Sequence, residues 1–363
     1  MQPVTSAVTG LASGSLAVAA DAASLVRRRL DALTRQTGDG LRAQGYGGLG
    51  AGAPAALALN ATLTRVDGWQ GNAQRIGGRL QAAQSALGGI SDVASQFFAS
   101  TNDLNGLNAG SVDSVAAGAR DALRRVAGLL DASFGDTYVF AGTDSARPPV
   151  PDPDGILASG FYTGINAAVA NLAATGAAGT IGATLATAAS NAAGVSPFSA
   201  QLSQPAAALV GERPVVQVGP DQFVPVGVLA SANADIASTG SSTTGSYIRD
   251  IMRALATLGS LTSAQIPAAG FAALVQDVHD SLGGAITALN GDAGVLGDRT
   301  AALNDTAQRL GDTSVALKDQ ISNAQDVDMA QTLTQLSAAQ TQLQASYQLM
   351  STLRQLSLVN FLG

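Results

Sequence analysis

His279 is the single histidine among the 363 residues, and there is no cysteine at all, so the groups most often used for nucleophilic and metal chemistry are nearly missing. Zero cysteine removes disulfides, thiolate metal sites and cysteine nucleophiles together, and one imidazole rules out zinc or di-metal centres built from several histidines. A Ser-His-Asp relay through His279 would need a Gly-x-Ser-x-Gly elbow where a strand passes into a helix, and no such elbow stands near a strand. His279 lies among helix-forming residues and reads as a helix-surface side chain. Asp152 and Asp154, in Pro151-Asp-Pro-Asp-Gly155, have the makings of a cation loop, but no further ligands follow at EF-hand spacing and the segment reads as a solvated turn. Arg27, Arg28 and Arg29 could meet an acidic partner; a run of this kind is more simply a solvated helix face. No catalytic, cofactor-binding or metal-binding residue is assigned, no cofactor is expected, and the chain does not read as an enzyme.

Composition narrows the classes further. Hydrophobic residues make up 46% of the chain but aromatics only 4%, so the apolar content is mainly Ala, Leu and Val, which suits close helix packing better than an aromatic-lined pocket. With 19 basic against 26 acidic residues the net charge is -7, and Lys318 is the only lysine. Such a balance argues against a phosphate-binding surface, so nucleic acid is not an expected partner. Residues 1–20 lack the basic and leucine-rich segments of a cleavable signal, so no ordinary signal peptide is expected. The Ala/Gly/Thr stretch 167–194 is interrupted by polar residues and too weakly hydrophobic to span a bilayer, and no membrane insertion is expected.

The elements that must organise the chain are long helices. Ile76, Leu80, Ala83, Leu87, Ile90, Ala94 and Phe97 follow alternating steps of four and three, which place one unbroken seam on a helix face. Val112, Val115, Ala119, Ala122, Val126 and Leu129 keep the rhythm after a polar break at 100–111. A helical segment over 16–41 ends in the glycine-rich run 45–52. In the C-terminal half Leu282, Leu289, Leu296, Leu303, Leu310 and Leu317 stand seven residues apart, with mostly small residues between them. After a break at 326–328, Met329, Leu333, Leu336, Leu343, Tyr347 and Met350 extend a seam, and Leu353, Leu356 and Leu362 keep the end apolar. The middle reads differently, with a strand candidate at 137–141, a proline run at 147–153 and a hairpin pairing 215–218 with 223–226 across a four-residue connection.

This layout predicts a mainly α fold in which long N- and C-terminal helices pair as a coiled-coil-like bundle around an inserted β-containing middle. The expected divisions are 1–134, an N-terminal helical part, 135–245, an irregular and β-containing insert, and 246–363, a C-terminal helical part packing with the first. The expected assembly seam comprises Ile76, Leu80, Leu87, Leu289, Leu296, Leu303, Leu310, Leu317, Leu333, Leu336, Leu343, Leu353, Leu356 and Leu362. Narrow seams of this kind pair either with each other inside one protomer or with neighbouring molecules, and the pattern alone serves both.

The end of the chain carries a specific resemblance. Asp326-Val-Asp-Met-Ala330, Leu333, Leu336, Gln340, Gln342-Leu-Gln-Ala-Ser346 and Leu356-Ser-Leu-Val-Asn-Phe-Leu362 resemble the C-terminal signature of bacterial flagellins. Leu33-Thr-Arg-Gln-Thr-Gly38 with Gly40-Leu-Arg42 is similar to the family's segment at the end of its first helix, and the helix carrying Gln81, Ala86, Leu87 and Ile90 to its second. Tyr138-Val-Phe-Ala-Gly-Thr-Asp144 before Arg147-Pro-Pro149 resembles the segment that leaves the N-terminal helices in hook-filament junction proteins, also called hook-associated protein 3. The family's usual Asn/Ser-Ala-Lys-Asp-Asp-Ala loop is replaced here by Gln44-Gly-Tyr-Gly-Gly-Leu-Gly-Ala-Gly52. The resemblance implies a non-enzymatic structural subunit of the extracellular flagellum, exported unfolded through the type III channel with an export chaperone and without a cleaved signal peptide. Its partners would be copies of itself or other axial proteins, flagellin and the hook-associated proteins, met through the terminal helices. A second reading is a flagellin-like cell-surface protein holding a polysaccharide through its middle, whose main aromatics are Phe161, Tyr162, Phe198 and Phe223.

Overall fold

The computed structural model describes the backbone of residues 5–104, 109–233 and 235–362, and side chains over the same range except at 5–16, 206 and 353–362. Helix α1 (Thr5–Asp39) is followed by a glycine-rich 3-10 segment and then by α2 (Ala53–Leu104) and α3 (Ala109–Leu130). A short hairpin joins β1 (Ser133–Phe134) to β2 (Thr137–Tyr138). Helices α4 (Gly160–Ala170) and α5 (Leu172–Ala189) and the single turn α6 (Ala206–Leu209) come next. A second antiparallel hairpin pairs β3 (Val215–Gln217) with β4 (Phe223–Pro225). The chain ends in α7 (Tyr247–Gly259), α8 (Phe271–Gln325) and α9 (Met329–Leu362). The architecture is mainly helical, with long terminal helices and a small β-containing middle, as the periodicity predicts.

The chain divides into two compact units, one of residues 1–66 with 312–363 and the other of residues 67–311. In the second unit α2 and α8 run antiparallel in a constant register. Gly311 faces Gln70, Gly77 faces Asn304, Gly297 faces Gln84 and Gly283 faces Phe98, and Ser91 Oγ donates to Asn290 Oδ1 at 2.9 Å. Both series advance by seven residues, so the heptad pattern fixes the alignment. The glycines that weaken these helices intrinsically are the points where the partner's longer side chains come close. Leu282, Leu289, Leu296 and Leu303 are buried from α8 and Ile76, Leu80, Leu87 and Ile90 from α2, in one hydrophobic core.

Helix α7 is buried along its whole length, packed by α3, α4 and α5. Its charged residues are therefore partnered. Arg253 pairs with Asp277 at 3.1 Å and donates to the Ser242 carbonyl at 2.9 Å, while Asp250 accepts from the Thr244 amide and hydroxyl, each at 2.8 Å. Asp292, buried on α8, accepts from the amides of Asp235 and Ile236 and ties that loop to the helix. Burial, with the Asp292 carboxylate next in importance, pushes the Tyr247 hydroxyl well above its ordinary pKa.

Several sequence expectations change on contact with the structure. The middle is not merely irregular, because α4 and α5 form there; Ala, Gly and Thr without apolar periodicity hide a helix whose buried face is made of small residues. Segment 172–189 is long and apolar enough by composition to cross a membrane, yet Gly176 sits at φ 67 and breaks it. The part beyond the break, 177–189, is well short of the about 20 residues a span needs. His279 is not a plain surface residue: its ring stacks on Phe98 with centroids 4.0 Å apart, and Nδ1 lies 2.7 Å from Thr101 Oγ1. The hairpin of the middle forms, but one residue out from the expected four-residue connection: Val216 lies opposite Val224 and Gln217 opposite Phe223, so the five residues 218–222 join the strands. The strand expected over 137–141 stops at Tyr138, and Val139, Phe140 and Ala141 go into the core instead. The expected break at 100–111 falls between α2 and α3, and residues 105–108 within it lie outside the described residues.

Candidate assembly interface

In the first unit α1 and α9 pack side by side, and the end of α1 is tied to the start of α9. The Val327 amide donates to the Gly40 carbonyl at 2.9 Å, the Arg42 amide to the Gln325 carbonyl at 2.7 Å, and Arg42 Nε to the Asp326 carbonyl at 2.8 Å. Because the C-terminal end of one helix meets the N-terminal end of the other, the two run antiparallel. Gly40, at φ 72, takes the left-handed conformation that lets the chain leave α1 and turn into this bridge. Asp328 caps α9, its Oδ1 accepting from the Ala330 amide at 2.9 Å and the Gln331 amide at 3.1 Å. The break expected at 326–328 is thus a built joint between α8 and α9.

This unit hides little of its apolar surface. Ala23, Leu33, Ala56, Val66 and Ala339 are its buried hydrophobic residues among those described. Against them stand Val18 at 70% exposed, Leu349 at 63%, Leu333 at 49%, and Leu25, Leu57, Val315, Met329 and Tyr347, all exposed. On α9 the apolar residues lie around the whole helix rather than on one face, so a single neighbour cannot cover them. Arg27, Arg28 and Arg29 are exposed on α1.

The expected seam residues therefore separate. Ile76, Leu80, Leu87, Leu289, Leu296 and Leu303 are filled into the core of the protomer and have no surface to offer a neighbour. This corrects their assignment to an assembly seam: α2 and α8 come from the same chain at matching register and satisfy each other first. Leu310, Leu317, Leu336 and Leu343 are half-buried, and Leu333 is exposed. The side chains of Leu353, Leu356 and Leu362 lie outside the described residues. Sequence reasoning passed over Val18, Leu57, Val315 and Leu349, which fall off the heptad positions; a search for one stripe cannot register apolar residues on the opposite side of the same helix. In the middle, Phe161, Tyr162 and Phe198 are buried and only Phe223 of the four aromatics is exposed, so the stacking surface imagined for a polysaccharide is mostly core. Asp152 closes a turn, its Oδ1 accepting from the Gly155 amide at 2.9 Å. Among the described residues no three His, Asp or Glu side chains cluster as a metal site would require.

Residues 280–362, which take in most of α8 and all of α9, match the model of the bacterial flagellin C-terminal helical region. The likeness to bacterial flagellins covers that C-terminal region, under a quarter of the chain. A solved structure from Vibrio parahaemolyticus, described as a flagellar hook-associated protein, is similar to this chain at 13% identity and a TM-score of 0.47, covering 75% of this chain and 96% of the other. No curated protein matches the chain.

Proposed function

We propose that this chain is a self-assembling axial subunit of the flagellum, either the filament flagellin or the hook-filament junction protein, joined to its neighbours through α1 and α9. One observation carries the reading: of the 13 large hydrophobic residues exposed among those described, nine lie on the terminal-helix unit and four on the central unit, which closes a continuous core of its own. Exposed apolar side chains in this number favour an interaction site, and helices packed in a tube would remove them from water. The partners are then copies of the chain, flagellin or hook-associated proteins. Before assembly the apolar ends need cover, a role that fits an export chaperone.

Electron microscopy of the full chain with short filament seeds tests the reading. Long filaments identify a flagellin; a chain that only caps hook ends identifies the junction protein. A truncation lacking residues 353–363 is expected to stay soluble and fail to assemble. Normal assembly of that truncation would refute burial of the C-terminal leucines between subunits.

A further inference from the structure

The hairpin of β3 and β4 separates two surfaces of the central unit. Side chains alternate across a strand, and in the observed register Val216 and Val224 pack against the core while Val215, Phe223 and Pro225 share the opposite face. That outer face is apolar where a hairpin facing water is normally polar: Val215 is 58% exposed, Phe223 60%, and Pro225 is exposed with them. Asp221, exposed in the connection two residues before Phe223, makes no ion pair among the described residues.

The inner side of the same hairpin borders an open cavity of about 410 Å³ against α2, lined among others by Arg75, Ile76, Arg79, Phe134, Val216 and Val226. Phe134 lies so close on α2 that a Cβ at residue 78 would fall 2.5 Å from its Cζ, and its ring walls one side of the cavity. The charge here is positive. Arg75 and Arg79 stand four residues apart on one helix face, where like charges repel, and no carboxylate lines the cavity among the described residues. Arg75 donates to the Gly71 carbonyl and to Asn72 Oδ1, and Arg79 to the carbonyls of Tyr138 and Val139, all neutral acceptors.

We propose that the outer face of the hairpin in one copy of the chain seats on this cavity in a second copy, with Phe223 covering the apolar wall and Asp221 beside Arg75 and Arg79. A second copy fits because its hairpin carries what the cavity lacks, an exposed apolar ring with an unpaired carboxylate next to it. Since the two surfaces lie on opposite sides of one ribbon, the contact is head-to-tail and repeats from copy to copy instead of closing a two-fold dimer. Two exposed side chains cover far less than the about 800 Å² per partner of a stable complex. The contact is therefore weak alone and counts among copies already held in line by α1 and α9, in which respect it rests on the assembly reading.

The chain has no cysteine, so introduced cysteines report the contact. Full-length Gln222→Cys, in the connection, and full-length Thr137→Cys, at the cavity, are mixed with and without filament seeds and treated with a short bis-maleimide. The mixture is expected to form a cross-linked dimer at least about fivefold faster than either variant alone. Phe223→Ser, added to the Gln222→Cys chain, is expected to remove that excess, and it alters a side chain too exposed to threaten the fold. Asp221→Arg in the same chain is expected to slow trapping at least about threefold, and Arg75→Asp in the Thr137→Cys chain to restore it. Equal trapping by the mixture and the single variants, or trapping indifferent to Phe223→Ser, overturns the proposal. Seeds that elongate without the mixed cross-link refute this contact and leave the α1 and α9 reading standing; the mixed cross-link without elongation supports the contact and refutes that reading.

Discussion

Leu296→Ala separates core from interface in the heptad leucine row. Leu296 is 0% exposed in the α2–α8 pair, next to Gly297, which faces Gln84. The substitution removes three carbon atoms, about 2–2.5 kcal/mol of transfer free energy at about 0.8 kcal/mol each. Two long helices held in register by contacts at every seventh residue collapse poorly around the void, so a cavity contribution brings the loss to about 3–4 kcal/mol. For a unit of this size that is a fall in melting temperature of roughly 6–16 °C. The companion change, Leu333→Ala on α9, removes a side chain that is 49% exposed and should alter protomer stability by under about 1 kcal/mol. Calorimetry of the unassembled protein measures both, and seeded elongation followed by light scattering measures assembly. Leu296→Ala should melt early, and Leu333→Ala should melt normally but elongate poorly. A loss of less than about 1 kcal/mol for Leu296→Ala would refute the protomer-core reasoning, because a fully buried leucine in a rigid pair cannot be that dispensable.

Asp131, half-buried and held by the Val150 amide at 2.9 Å, has its pKa pushed from 3.8 to about 6, chiefly by burial. The folded state then holds a proton that the unfolded state releases, so stability falls as pH rises from about 4 to 6. Asp131→Asn should remove that fall, by roughly 1 kcal/mol once solvent screening at a half-exposed group is counted, in urea titrations at the two pH values. Gly40→Ala must adopt φ 72 with a side chain and should cost about 1 kcal/mol, read as faster hydrogen exchange at the Val327 amide that bonds to the Gly40 carbonyl. Asp328→Ala removes the cap of α9 and should destabilise its first turn by about 1 kcal/mol, visible as loss of exchange protection at Ala330 and Gln331.

The long helices, the joint at 326–328, the middle hairpin and the resemblance at the C-terminus were legible in the residues, because each rests on local spacing. Alternating steps of three and four make one helix face apolar whatever lies opposite, and Val215–Gln217 and Phe223–Pro225 carry their own turn between them. What the spacing leaves open is the partner. Leu296 and Leu333 are equivalent leucines in a one-dimensional pattern, yet one is sealed against α2 and the other faces water, because only the fold decides which apolar row meets a row from the same chain. The same limit hid α5, whose small residues have no period, and the role of Arg249 and Arg253, which on any helix read as solvated charges. Their burial is tolerable only because carbonyls and carboxylates from α5, α8 and the loops around residues 231 and 242 converge on them, and that convergence is a property of tertiary structure alone.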